Sequence, residues 1–252
     1  MFVQTGDRVG IGGLIITGTA PKRVIVRVVH CQVCIPEIHP LLDPVLELHG
    51  PNGFATIINN NWRDTQEAEI IATGLAPENQ TDPAIVVTLA PGNYTAIARG
   101  NPNITGVAVI EVYDLDHAAA SRLANISTRA FIGTEADVLI GGFILGHGTL
   151  PDNVIVRGLG PSLSGLGVPD ALADPRMELH DSHGALVRTN DNWMDDPAQA
   201  ALIIAAGLAP TNPLESAIAE TLPPGPYTAV LYGVDKGTGN GLVEIYDRVG
   251  QP

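Results

Sequence analysis

The chain has 252 residues, a formal net charge of −14, 28 glycines, 20 prolines and an aromatic content of only 4%. The acidic balance argues against nucleic acid and anionic membrane surfaces as partners, because both are recognised by clusters of Lys and Arg. Two cysteines are too few for a disulfide scaffold, and no apolar run reaches the roughly 20 residues that membrane insertion requires.

Two stretches of the chain repeat each other, and each ends in one of the two tryptophans. Residues 47–62 read ELHGPNGFATIINNNW, and residues 178–193 read ELHDSHGALVRTNDNW. Further matched pairs follow in the same order: FVQTGDRVGIGG with FIGTEADVLIGG, PKRVIVR with PDNVIVR, ATGLAP with AAGLAP, and TLAPGNYTA with TLPPGPYTA. The shared order predicts an internal duplication and two domains of one fold.

The elements of each copy, taken in chain order, are short strands separated by turns. Residues 24–26 and 154–156 are apolar runs typical of buried strands, and residues 45–49 alternate as a half-buried strand does. Each copy contains one segment without the turn residues that separate strands, and each of these segments ends at a glycine. This pattern predicts a short helix at 66–73 and another at 198–206. The sequence therefore predicts an all-β fold of two tandem antiparallel β-sandwiches, jelly-roll or immunoglobulin-like, each with one short helix.

The boundary between the copies is predicted to separate domains 1–116 and 117–252. The alternating segment 123–130 is predicted to be the opening strand of the second domain. Its candidate assembly residues are Leu123, Asn125, Ile126, Ser127 and Thr128. The first domain has no counterpart, because its match begins at Phe2. Either the chain belongs to a longer repeat array or tolerates the loss, or a strand from a second copy fills the gap, which predicts head-to-tail self-assembly.

The second copy also contains a characteristic series of segments: STRAFIGTEADVLIGGFIL, VIVRGLGPSLSGLGV, ALADPRMELHDSHG, NDNW, LPPGPYTAVLYG and GLVEIYD. This series resembles a repeat module that occurs in tandem in large secreted bacterial proteins. The series ELHDSHG, NDNW and LPPGPYTA is also loosely similar to bacterial pre-peptidase C-terminal domains, some relatives of which bind calcium or matrix polymers. The resemblance implies a secreted or cell-surface location, although MFVQTGDRVG lacks the features of a signal peptide.

Four residues of the first copy suggest a site for a thiophilic metal. His30, Cys31, Cys34 and His39 offer imidazole and thiolate ligands that suit zinc. A local disulfide and free thiols are the alternatives. The second copy lacks both cysteines, which argues against a role in the shared fold.

A cluster of acids and amides in the second copy is the other candidate site. Its members are Asp181, Asn190, Asp191, Asn192 and Trp193. Oxygen ligands of this kind suit calcium, and an exposed tryptophan could stack on the sugar rings of an extracellular polysaccharide. The alternative is structural, because Asp and Asn cap turns and tryptophans anchor cores. The matching Asn-x-Asn-Trp of the first copy favours that alternative.

No motif predicts catalysis. The segment GPSLSG lacks the spacing of the Gly-x-Ser-x-Gly elbow of hydrolases, and His180 has a counterpart in His49. We therefore expect a non-catalytic, extracellular structural or adhesion module that self-assembles head-to-tail into fibres or arrays. The alternatives are a carbohydrate- or calcium-binding accessory module and a metal-binding protein that uses the Cys31 and Cys34 loop.

Overall fold

The chain folds as two compact units, which span Met1–Ile126 and Ser127–Pro252. The computed structural model describes residues 1–30, 39–102, 104–135, 137–146 and 150–248. Antiparallel sheets dominate both units, which confirms the predicted all-β fold. None of the helices in the described ranges has the length and apolar character that crossing a bilayer requires.

The first unit contains two sheets and one short α-helix. Its strands are β1 (Phe2–Val3), β2 (Gly10–Gly18), β3 (Lys22–His30), β4 (Pro44–His49), β5 (Ile57–Asn59), β6 (Ala84–Leu89), β7 (Gly92–Gly100) and β8 (Gly106–Asp114). Helix α1 is Glu67–Ala72, and β9 (Ser121–Ile132) begins in this unit. One sheet has the order β9-β2-β7-β4-β5, and the other has the order β1-β8-β3-β6.

The second unit has the same order of elements. Its strands are the end of β9, β10 (Leu139–Leu145), β11 (Asp152–Leu159), β12 (Pro175–His180), β13 (Leu186–Asn190), β14 (Ser216–Leu222), β15 (Gly225–Gly233) and β16 (Gly239–Asp247). Helix α2 is Pro197–Ala205. The sheets have the orders β10-β15-β12-β13 and β9-β16-β11-β14, which match β2-β7-β4-β5 and β1-β8-β3-β6 of the first unit, where β9 is added beside β2. A common origin of the two halves stays a prediction from the sequence.

Each unit is a β-sandwich, because side chains from both of its sheets meet in one core. In the first unit, Leu14 of β2 and Leu46 of β4 pack in the same buried cluster as Val26 of β3 and Ala108 of β8. In the second unit the sheets approach so closely at Gly141 that a Cβ there would lie 2.8 Å from Val243 Cγ1. Burial of these apolar side chains is the main force that holds the two sheets together.

In each unit, a second apolar layer covers the outer face of one sheet, the sheet of β3 in the first unit and the sheet of β11 in the second. Ile25 of β3 packs with Trp62 and with Ile70 of α1, while Ile155 of β11 packs with Trp193. The apolar runs 24–26 and 154–156 are therefore buried on both faces, as predicted for these strands. Trp62 is 3% exposed and Trp193 is 8% exposed, so both indoles act as core anchors and offer no free ring for stacking on a sugar.

Strand β9 changes the predicted domain boundary. The division falls between Ile126 and Ser127 rather than at 116/117, because the first half of β9 joins a sheet of the first unit. Leu123 packs against the core of the first unit, whereas Ala130 and Ile132 are buried in the second. The prediction that 123–130 opens the second domain alone is wrong for its first half. Alternation along a strand cannot reveal that its two halves serve different cores.

The first unit begins with a short strand, β1, which matches residues 131–132 of the second unit in the sequence. Strand β1 pairs with β8 through Phe2 and Val107, in the place that the end of β9 takes beside β16. With only two residues, β1 reaches only the first part of β8, and in the described residues no strand pairs with the outer side of β8 at residues 109–114. The predicted lack of a counterpart to residues 123–130 in the first unit stays a prediction.

Candidate interaction edge of the second unit

Strand β10 lies at the end of its sheet and is paired on one side. Its partner is β15, along the whole length of the strand from Leu139 opposite Leu231 to Leu145 opposite Gly225. In the described part of the chain, no strand pairs with the other side of β10. The backbone N–H and C=O groups along that side are a template for the addition of another strand.

The sequence of β10 does nothing to protect this open edge. It reads LIGGFIL, with no charged residue and no proline, the features that natural edge strands use to prevent pairing. Its side chains alternate between the core and the surface. Ile140 is 50% exposed and Ile144 is 74% exposed, so the solvent side of this edge is apolar. We call β10 with these two isoleucines the open edge.

The matching edge of the first unit is covered. Strand β2 has the same pairing with β7 that β10 has with β15, but β9, whose residues 121–126 belong to the first unit, lies on its other side. In the sequence match, Ile11 and Ile15 of β2 correspond to Ile140 and Ile144 of β10. Ile11 and Ile15 are partly buried, whereas Ile140 is 50% exposed and Ile144 is 74% exposed. The two units therefore differ in one respect at this edge, which is the presence of a covering strand.

The covering strand is held to the first unit by its leading residues. The ammonium group of Lys22, whose residue is only 1% exposed, donates to the Asp116 carbonyl at 2.7 Å and lies 2.9 Å from the Asp114 carboxylate. The amide of Thr19 donates to the Ala120 carbonyl at 2.9 Å. These contacts place the chain beside the edge of β2 just before β9 begins.

The edges of β6 and β14 are closed in a different way, by side-chain amides. In the second unit, Gln199 of α2 donates to the Ala219 carbonyl at 2.9 Å and accepts from the Ala219 amide at 2.8 Å. Asn190 accepts from the amide of Ala217, also at 2.8 Å. These side chains occupy the hydrogen-bonding positions of a missing neighbour strand.

The first unit repeats this arrangement. Gln66, which precedes α1, bonds to both backbone groups of Val86, and Asn59 accepts from the amide of Ala84 at 3.0 Å. The first Asn of each Asn-x-Asn-Trp motif thus protects an edge strand. Sequence reasoning missed this role, although the repeated Asn and the glutamine at the start of each helix were the signal.

The predicted assembly residues are already engaged in the fold. Leu123 packs on the first core, and Asn125 is only 5% exposed. Ile126, Ser127 and Thr128 are half-buried along β9. These residues therefore complete sheets of their own chain, whereas in the described ranges β10 has no strand on its outer side.

The predicted metal site is only partly visible, because Cys31 and Cys34 lie outside the described residues. His30 Nδ1 is 2.9 Å from the Asp82 carboxylate, and Nε2 is 3.5 Å from Asn79. Burial raises the pKa of the Asp82 carboxyl, and the bond from His30 opposes that shift. His39 is exposed, and within the described ranges no three His, Cys, Asp or Glu residues form a group that could hold a metal ion. Zinc binding by the cysteine loop stays a prediction.

The predicted calcium residues are not brought together. Asp181 lies at the turn of the β12–β13 hairpin and accepts from the amides of His183 and Ala185 at 2.8 and 2.9 Å, which is turn chemistry. These bonds hold the pKa of the Asp181 carboxyl below its usual value. Asn190 lies at the far end of the same hairpin, opposite Met177. Asp181 and Asn190 therefore lie at opposite ends of the hairpin, and calcium binding by the predicted set stays a prediction.

The remaining members of that cluster border a shallow polar cleft. Asn192 donates to the Asp195 carboxylate at 3.3 Å, while Asp191 lines the cleft. The cleft has a volume of about 260 Å³ and is lined by Arg176, Arg188, Thr189, Asn190, Asp191, Asp195 and Asp196. Binding of a polysaccharide there stays a prediction, without the contribution from Trp193 that the sequence suggested.

Comparison with known proteins leaves the family open. No family model matches the chain, and no curated protein matches it. Among solved structures, a "putative secreted protein" from Eubacterium rectale aligns with 98% of this chain and 68% of its own, at 10% identity and a TM-score of 0.16. That TM-score is too low to indicate a shared fold, so this similarity carries no argument about function.

Proposed function

We propose that the chain is a non-catalytic structural or adhesion module of a secreted or cell-surface protein, and that it self-assembles by strand addition. The acceptor is the open edge, and the donor is a strand from another module, so the contact is head-to-tail and can propagate into fibres or arrays. The observation that carries this proposal is the contrast between β2, which is covered, and β10, which is not.

Strand addition would cover part of the two exposed isoleucines, as β9 covers part of Ile11 and Ile15. With Ile140 50% exposed and Ile144 74% exposed, this contributes at most roughly 2–4 kcal/mol of hydrophobic free energy. New backbone hydrogen bonds add to this, at about 1 kcal/mol each. Association costs at least about 4 kcal/mol of lost translational and rotational freedom. The expected affinity is modest, and tethering of the donor in an array would strengthen it.

The proposed extracellular location rests on the segments that resemble a tandem module of secreted bacterial proteins, which cover most of both halves. The net charge of −14 bears on solubility, because like charges oppose non-specific contact between crowded modules.

Sedimentation velocity over a wide range of concentrations tests this proposal. We expect the chain to form larger species as its concentration rises, and I140K together with I144K to suppress them by placing charges on the open edge. I58K is the matched control, because Ile58 is a 56% exposed isoleucine on an edge strand of the first unit. A monodisperse monomer at every concentration refutes self-assembly, and equal loss of association in I58K refutes the assignment to β10.

A further inference from the structure

We infer that the open edge accepts a strand equivalent to residues 121–126, SRLANI, from another repeat unit, which in a second copy of this chain requires that segment to leave its own β2. The inference rests on the proposed function and names its partner. The reason is the precedent within the chain, since the same segment occupies the same position beside β2.

The acceptor strands of the two units are equivalent in pairing. Leu14 of β2 lies opposite Tyr94 of β7, and Phe143 of β10 lies opposite Tyr227 of β15. Both strands place alternate residues in the core, so both present the same side of the backbone to a neighbour. A strand that fits the edge of β2 therefore fits the open edge in register.

The core beside the open edge is less well sealed than its counterpart. Leu14 and Ile16 of β2 are 1% and 2% exposed, whereas Phe143 and Leu145 of β10 are each 8% exposed. In the first unit, Leu123 of the linker strand packs against the core that contains Leu14 and Ile16. A leucine in the equivalent position beside Phe143 and Leu145 would seal the core of the second unit in the same way.

Charge also favours a linker strand over the main alternative, which is the β10 strand of a second copy. The segment 121–126 contains Arg122 and no acid, so it brings positive charge to a chain whose net charge is −14. Strand β10 itself contains no charged residue, so pairing of two β10 strands would gain no such local attraction.

The test uses a fluorescent peptide with the sequence of residues 119–128, AASRLANIST, titrated with the whole chain and followed by fluorescence anisotropy. We expect saturable binding with one peptide per chain at concentrations up to about 1 mM. A peptide in which Ala124 is replaced by proline should bind about 10-fold or more weakly, because proline removes a ladder hydrogen bond. The I140K and I144K pair should weaken binding to the same extent, and I58K should not.

Amide hydrogen exchange locates the bound peptide. We expect new protection in Leu139–Leu145 and none in β2, whose edge is already covered. Protection of β2 instead would mean exchange with the chain's own linker and would overturn the inference.

Association of the chain through β10 without affinity for the peptide would also overturn the inference, while leaving the proposed function in place. The absence of both peptide binding and self-association would refute the two together.

Discussion

Replacing Gln199 with methionine should open the edge of β14 and loosen the second unit. Gln199 is 9% exposed and makes two hydrogen bonds to the backbone of Ala219, one as donor and one as acceptor. Methionine has nearly the same length and fills the same space, so the substitution removes the hydrogen bonds with little change in packing.

The size of the effect follows from the two backbone groups that lose a partner. A buried donor or acceptor that is left unsatisfied costs about 1–3 kcal/mol. Ala219 lies on an edge strand, where water can reach the freed groups once the amide is removed, so we take the low end for each group and expect about 2 kcal/mol in total. That free energy corresponds to about a 30-fold increase in the exchange rate of amides that open with β14.

Hydrogen exchange of Ser216–Leu222 measures this directly and separates the second unit from the first. Q66M provides the matched variant, since Gln66 makes the same pair of bonds to Val86 and should affect only Ala84–Leu89. Q199E keeps one acceptor but removes the donor to the Ala219 carbonyl, so it should fall between the parent chain and Q199M. Exchange in Ser216–Leu222 that rises less than about 2-fold in Q199M would refute the view that the amide closes this edge.

Two further substitutions test interactions that hold the sheets. R157M removes a guanidinium that pairs with Glu244, stacks over Tyr246 at 5.2 Å and donates to the Leu208 carbonyl at 3.1 Å. The free energy of unfolding, measured by thermal unfolding, should fall by about 3 kcal/mol, and the double variant R157M/E244L should recover most of that loss. An unchanged melting temperature in R157M would contradict this. Hydrogen bonds from Tyr232 and His180 lower the pKa of Glu178 below 4.5, so its ionised form stabilises the fold above that pH and the contribution is lost as the pH falls through the lowered pKa. E178Q should therefore be less stable than the parent chain at pH 7, and the difference in urea midpoint should shrink as the pH falls through the lowered pKa of Glu178; a constant difference would show that ionisation is not involved.

Much of the fold follows from local patterns in the sequence. The Val-Ile-Val runs at 24–26 and 154–156 predicted strands buried on both faces, and each has a core on one side and a helix layer on the other. The predicted helices at 66–73 and 198–206 correspond to Glu67–Ala72 and Pro197–Ala205. These elements were predictable because they depend on side-chain periodicity and on glycines at helix ends, which are visible within a few neighbouring residues.

The edges of the sheets were not predictable in the same way. Whether β2 or β10 has a covering strand depends on where residues 121–126 lie in space, which no local pattern encodes. The sequence directed attention to Asp181, Asn190 and Trp193 as ligand groups, because oxygen-rich side chains suit both calcium and turns. Only the contacts of Asn190 with Ala217 and of Asp181 with Ala185 distinguish those two roles.

The use of neutral amides to close β6 and β14 has a consequence for the conditions that the protein can tolerate. Edges guarded by charge depend on repulsion, which salt screens and which changes as carboxylates and amines titrate. The amides of Gln66, Gln199, Asn59 and Asn190 carry no charge, so their protection of the edge persists across ionic strength and acidity. Their weakness is covalent, because hydrolysis of a glutamine amide replaces the donor NH2 with a carboxylate oxygen, which can no longer donate to the Ala219 or Val86 carbonyl as the protein ages.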